Sequence, residues 1–329
     1  MRKLLLGTTA LAAAATLSAN AALADLKISG YYEWKYQSTS SDIAANDGTT
    51  FGKDSEIKFS FSNKTDSGLT VGMAVEMETD AAGIDESNMY ISGGFGKLVL
   101  GQQDGVGESY GIDAEDVVGE EIQQYADADD YSYGLASGDS DIVQMASDNN
   151  KISYHIPAVG GLKAGVSFTD AGTNGASGDQ DITTVGASYT ADAGGASVTI
   201  GGATSTQDVA GAAQDTDSQN IGVKVTSGNM TFIVAQSQYE AVGADEEAQG
   251  AGASMKISDD ITFGLFTNKI EDDTSNEEYT NTGVEVAYTI ASGLTAYLNV
   301  EDYDYKPGTA SGMVADSGTA SKLTIKAKF

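Results

Sequence analysis

The chain contains no cysteine, one histidine, two prolines and a single arginine, Arg2. Without cysteine there is no disulfide framework and no thiolate metal site, so burial and hydrogen bonding must hold the fold. His155 stands alone, with no pattern that fixes a partner for it. Neither a hydrolytic triad nor a transition-metal set is therefore legible, and the chain does not read as an enzyme. Basic residues number 17 against 48 acidic ones. That balance excludes a nucleic-acid partner, because binding phosphates depends on Lys and Arg to neutralise them. After residue 24 no stretch approaches the ~18 apolar residues of a membrane-spanning helix. A chain of this kind can enter a membrane only as a barrel.

The first 24 residues carry a cationic start at Arg2 and Lys3, an apolar run from Leu4 to Leu17 and a small-residue exit at Ala22-Leu23-Ala24. This is the pattern of a cleaved secretory signal peptide. Cleavage after Ala24 is favoured because Asp25 opens the first strand pattern, although Ala19-Asn20-Ala21 also fits. Residues 25–329 then form one domain whose 15 basic residues are all lysines.

Strand patterning begins at once. Leu26, Ile28, Tyr32, Trp34 and Tyr36 alternate with Lys27, Ser29, Tyr31, Glu33 and Lys35, the period-two signature of a strand with unlike faces. Ile57, Phe59 and Phe61 repeat it against Glu56, Lys58 and Ser60, and Leu69 to Glu78 repeats it again. Short Gly- or Asp-bearing turns follow at 66–68, 93–96, 159–161, 191–195, 227–229, 258–260 and 291–293. These residues tolerate the positive φ that tight hairpins demand. Longer polar segments alternate with them at 38–52, 79–86, 102–150, 170–181, 205–217, 240–249, 270–278 and 302–317, which gives sixteen strands.

Lys27, Lys35, Lys58, Lys97, Lys151, Lys163, Lys224, Lys256, Lys322, Lys326 and Lys328 all take the phase opposite to their strand's apolar residues. A transmembrane barrel requires this on every strand, with lipid on one side and a wet lumen on the other. Phe61, Phe95, Tyr189, Phe232, Phe263 and Tyr288 each lie close to a short turn, as an interfacial aromatic girdle would. The chain ends in mid-strand at Lys322–Phe329, so that edge needs a partner, which the strand at Leu26 can supply.

The segment from Gln102 to Asp141 breaks the rhythm. It holds twelve carboxylates, no Lys or Arg, and four tyrosines at positions 110, 125, 131 and 133. A stretch this long without strand or helix periodicity is a functional loop or a linker, and its aromatics favour a packed loop.

Ser67-Gly68-Leu69-Thr70-Val71-Gly72, Met89 to Gly101 (MYISGGFGKLVLG) and the terminal Lys322-Leu323-Thr324-Ile325-Lys326-Ala327-Lys328-Phe329 resemble the general bacterial outer-membrane porins, of the alphaproteobacterial, Rhodobacter-like type. The resemblance implies an all-β fold, a sixteen-stranded antiparallel transmembrane β-barrel with a long third loop folded inward, here about residues 102–150. It also implies a homotrimer in the outer membrane, among lipid and lipopolysaccharide, that lets small hydrophilic solutes diffuse through without cofactor. The family faces its inward loop with arginines, which residues 25–329 lack; Lys58, Lys35 and Lys27 are the stand-ins on the pore wall, interleaved with Glu33 and Glu56. Glu108, Asp113, Glu115, Asp116, Glu120 and Glu121 are the candidate constriction carboxylates, and their charge predicts cation selectivity. No specific metal site is expected beyond loosely held Ca²⁺ or Mg²⁺ at the acidic loops. The competing expectation is a secreted acidic surface-layer or adhesin-type β protein, against which the strict alternation of turn and loop lengths argues.

Overall fold

The computed structural model describes residues 25–44, 46–78, 83–120, 140, 149–170, 180–209, 215–308 and 314–329. The expected signal peptide, residues 1–24, lies outside them.

Sixteen strands run in chain order: β1 (Asp25–Ser41), β2 (Gly48–Lys64), β3 (Thr70–Glu78), β4 (Gly83–Gly93), β5 (Gly96–Gln102), β6 (Asn150–His155), β7 (Leu162–Asp170) and β8 (Gln180–Ala193), then β9 (Ala196–Val209), β10 (Thr216–Ser227), β11 (Met230–Ala241), β12 (Ala244–Lys256), β13 (Ile261–Asp272), β14 (Glu277–Ala291), β15 (Leu294–Lys306) and β16 (Asp316–Lys328). Each pairs antiparallel with its neighbours in sequence, and β16 pairs with β1 to close the barrel. The seam runs through the last residue: Phe329 N–H donates to Gly30 O at 3.0 Å and Gly30 N–H to Phe329 O at 3.1 Å. Closure leaves no ladder edge, which hydrocarbon requires, because an unpaired backbone group there costs several kcal/mol. A soluble two-sheet sandwich is thereby excluded.

The wall faces as the alternation predicts. Leu26, Ile28, Tyr32, Trp34, Val185, Val234 and Leu298 are exposed outward, while Glu33, Lys151, Ser167, Asn220, Glu285 and Lys322 are buried on the inner face. The eleven in-phase lysines all fall on inner positions of the ladder registers. Cysteines placed singly at Ser60, Val71, Met73 and Ala74 should react with a membrane-impermeant thiol reagent only at Ser60 and Ala74. Labelling at all four would contradict the assignment of faces.

Strands run further at the long-loop end than the alternation indicates. The expected loop over 240–249 is a two-residue turn at Val242–Gly243, and β11 and β12 stay paired up to Ala241 and Ala244. Likewise only residues 273–276 separate β13 from β14. Above the hydrocarbon both faces of the wall meet water, so the polar alternation fades while the hydrogen-bond ladder continues. Lys269 and Lys306 sit on the outward face in this zone, where Lys269 pairs with Glu271 at 2.6 Å and with Glu278 at 3.5 Å. Outward lysines are affordable there because the apolar belt has already ended.

Candidate functional site

Between β5 and β6 the chain turns into the lumen and follows the inner wall. At the root, the buried Lys151 ammonium donates to Gln103 O, and Val106 N–H reaches Ser167 Oγ at 3.3 Å. A short helix, α1 (Val106–Tyr110), then crosses β7 to β9, and the Tyr110 hydroxyl meets His155 Nδ1 at 2.8 Å. The lone histidine is thus an anchor for the loop. Beyond it, Asn220 clasps the backbone of Ile112, accepting from its N–H at 3.1 Å and donating to its carbonyl at 3.0 Å, and also reaches Ser140 O at 2.7 Å.

A 3₁₀ turn over Ala114–Val117 lies against β11 to β13. Ile112 and Val117 pack there with Ile233 and Phe266 from the wall. Gly119 and Glu120 then direct their backbone N–H groups at the two oxygens of Glu285, each at 2.9 Å. Asn299 donates both to Glu120 O and, at 3.0 Å, to Glu285. The Glu120 carboxylate reaches Lys326 at 2.6 Å, and Lys326 also pairs with Glu33. The loop is therefore tied along the wall from β6 round to β16 and β1.

What lets it lie so close is a track of glycines on the inner face of β7 to β13. A Cβ on Gly186 would stand 2.9 Å from Tyr110 Cδ2 and from Val106 O; on Gly222, 2.6 Å from Ile112 Cβ; on Gly264, 2.7 Å from Val118 Cγ1. Glycine inside a strand weakens it, and marks a place where another backbone approaches. The seat is built from strands far from the loop in sequence, so the loop's own residues give no sign of it.

The candidate carboxylates divide into two groups. Asp113, Glu115 and Glu120 are buried and hold the loop: Asp113 receives the Ser140 hydroxyl, Glu115 receives Asn268 Nδ2 at 2.6 Å, and Glu120 binds Lys326. Burial pushes the Glu120 carboxyl above the ordinary range, and the Lys326 ammonium pulls it back. Glu108 and Asp116 are exposed, with Asp116 at 3.4 Å from Lys224. Glu121 lies outside the described residues. On the wall, Lys35 lies 3.3 Å from Glu33 and 3.8 Å from Asp54, and Lys58 pairs with Glu76. Glu56 lies beside Lys58 on the inner face of β2, at the register position of Tyr31. Lys27 is far from the loop, at the short-turn end of β1 opposite Ser60.

A closed barrel of this strand number encloses more width than side chains fill, and the described part of the loop, pinned to the inner wall, narrows that width. These are the parts of a membrane diffusion channel. The sequence matches the Gram-negative porin family over residues 7–308, and the chain belongs to that family, whose members are outer-membrane channels. Solved structures agree on the fold. The anion-selective porin of Comamonas acidovorans is 18% identical, with 93% of this chain and 100% of that one covered at a TM-score of 0.65. OmpT, an outer membrane protein of Vibrio cholerae, is 16% identical over 93% and 98% at 0.67. A mutant of the Rhodopseudomonas blastica porin is 15% identical over 93% and 100% at 0.65. No curated protein matches the chain in sequence.

Proposed function

We propose that this porin is a passive channel for small hydrophilic solutes that favours cations, exported by a signal peptide at residues 1–24 that is then cleaved, and assembled in the outer membrane as a homotrimer among lipid and lipopolysaccharide. The observation that carries the selectivity is that four lysines beside the loop and on its facing wall are each paired with a carboxylate. Lys326 is matched by Glu33 and Glu120, Lys35 by Glu33 and Asp54, Lys58 by Glu76 and Lys224 by Asp116. With those lysines matched and carboxylates in excess over the chain as a whole, the field in the passage is negative. A carboxylate acting at an effective dielectric near 20 attracts an ion at 4 Å with about 4 kcal/mol, against about 1 in bulk water.

The anion selectivity of the Comamonas porin is not carried over, because at that identity only the fold is shared, whereas selectivity follows the charges of the lumen. Loose Ca²⁺ or Mg²⁺ enters this reading as compensation of the acidic rim, since among the described residues no three carboxylate or histidine side chains converge on one point.

The test is the zero-current potential in a KCl gradient. The wild type should show cation preference, and changing Glu108, Asp116, Glu33 and Glu56 to amides should reduce it. Anion preference in the wild type would refute the assignment of sign.

A further inference from the structure

Charge in this lumen is sorted along the axis. Lys27, Lys64, Lys97, Lys163, Lys256 and Lys328 each lie within two residues of the short-turn end of their strand, all on inner positions. Three come from the adjacent strands β16, β1 and β2 and the others from β5, β7 and β12, so they form a collar at one mouth that is densest at the barrel seam. Apart from Asp25 and Asp192, inner carboxylates sit towards the other end: Glu33, Asp54, Glu76, Asp272, Glu301 and Asp316 occupy the middle and long-loop portions of their strands, where Lys151 of β6 is buried against Gln103 O.

Pairing is sorted in the same way. Lys35 and Lys58, deeper in the lumen, are held by carboxylates, and so is Lys326, which stands at the level of the collar two residues from the end of β16. In the collar, Lys97 lies over the Tyr90 ring and Lys256 approaches Asp259 at 3.6 Å. Lys27, Lys64, Lys163 and Lys328 make no ion pair among the described residues, and all four are exposed to water. The carboxylates at this end include Asp25, Asp66, Asp192, Asp259 and Asp260; Asp25 is the first residue of its strand, Asp66, Asp259 and Asp260 stand in the turns, and Asp192 caps one through Gly195 N–H at 3.2 Å. They moderate the collar without reversing the gradient.

We infer that the channel is an axial charge junction that rectifies: it conducts more when the long-loop side is positive than when the short-turn side is. The inference rests on the channel reading but is independent of which ion is preferred at the constriction. An acidic compartment is enriched in cations and a basic one in anions. With the long-loop side positive, the field drives cations from the acidic half and anions from the collar towards each other, so mobile salt accumulates at the junction. The opposite voltage draws both away and depletes it. A potential difference of about kT between the two halves changes local ion occupancy by about threefold, and surface potentials of several kT are within the range that clustered charges produce. Screening sets the salt dependence, because the Debye length is ~10 Å at 0.1 M and ~3 Å at 1 M.

The experiment is a current–voltage curve of single channels in symmetric KCl. Val242→Cys, at the exposed long-loop turn, is biotinylated so that streptavidin added to one chamber reports the orientation; the chain has no other cysteine. At about 0.1 M KCl the current should be roughly two- to threefold larger with the long-loop side positive, and the ratio should approach one at about 1 M. Changing Lys27, Lys64, Lys163 and Lys328 together to Gln should lower the ratio and shift the zero-current potential towards stronger cation preference. Clear channel steps with equal currents at low salt, with the larger current in the opposite sense, or with a ratio unchanged in the quadruple variant would overturn the junction while leaving the channel reading intact. An absence of steps would overturn both.

Discussion

Replacing Gly222 with Leu should dislodge the inward loop and raise single-channel conductance while leaving the barrel closed. Gly222 faces the lumen on β10, and even the first carbon of a side chain there would lie 2.6 Å from Ile112 Cβ, 2.7 Å from Ile112 Cγ2 and 2.8 Å from Ile112 O. Neither side can yield easily: the wall is fixed by ladders to β9 and β11, and Ile112 is clasped two residues away by Asn220. Overpacking costs roughly 1–3 kcal/mol, and losing the two hydrogen bonds between Asn220 and Ile112 adds about 1 kcal/mol each. A loss of about 4 kcal/mol shifts the docked–undocked balance of the loop by roughly a thousandfold. Gly52→Ala is the control, for Gly52 is also on the inner wall but its added carbon would find only the Lys35 side chain, at 3.5 Å and beyond. Conductance should rise in Gly222→Leu and stay unchanged in Gly52→Ala. A wild-type conductance in both would show that the glycine track does not seat the loop.

That track also marks the limit of what the amino-acid order discloses. The barrel was legible because lipid imposes one rule on every strand: Leu26, Ile28 and Trp34 must face out, and Lys27, Glu33 and Lys35 must not. The turns were legible because positive φ selects glycine, as at Gly68, Gly161 and Gly293. Past the hydrocarbon the rule lapses, so β11 to β14 continue through segments that looked like loops. Within the loop, charge alone could not separate a carboxylate that faces water from one that holds structure. Glu115 is buried because Asn268, from a distant strand, reaches it, and Glu120 because Lys326 does. His155 looked idle since its partner, Tyr110, comes from a loop that folds back onto the wall. A run of inner-face glycines on consecutive strands was the available signal for close approach, but no short pattern ties it to Ile112 or Val118.

Lys326→Met should destabilise the channel strongly. Lys326 stands between Glu120 of the loop and Glu33 of β1, with its side chain 15% exposed and theirs 7% and 3%. Removing one partner of a buried ion pair costs about 3–5 kcal/mol, because the charges left behind have lost their compensation; a water-filled lumen argues for the lower end. The pH dependence supplies a second reading. Glu120 is held above its ordinary value of 4.5 by burial, against the pull of Lys326, so loss of that ammonium raises it further. A carboxyl whose pKa is higher folded than unfolded keeps its proton more readily in the folded state. Stability then falls as pH rises through the interval between the ordinary and the raised value, and is recovered as pH falls back through it. The variant should therefore unfold at markedly lower temperature than wild type at neutral pH and regain part of the difference at mildly acid pH. Adding Glu33→Gln and Glu120→Gln to Lys326→Met should restore much of the loss at neutral pH, since replacing a buried ionic cluster with uncharged groups is far cheaper than breaking it. Thermal unfolding in detergent at the two pH values, followed by circular dichroism, measures the wild type and both variants. A single variant as stable as wild type at neutral pH would mean that the loop end is held by the backbone bonds to Glu285 and Asn299 alone.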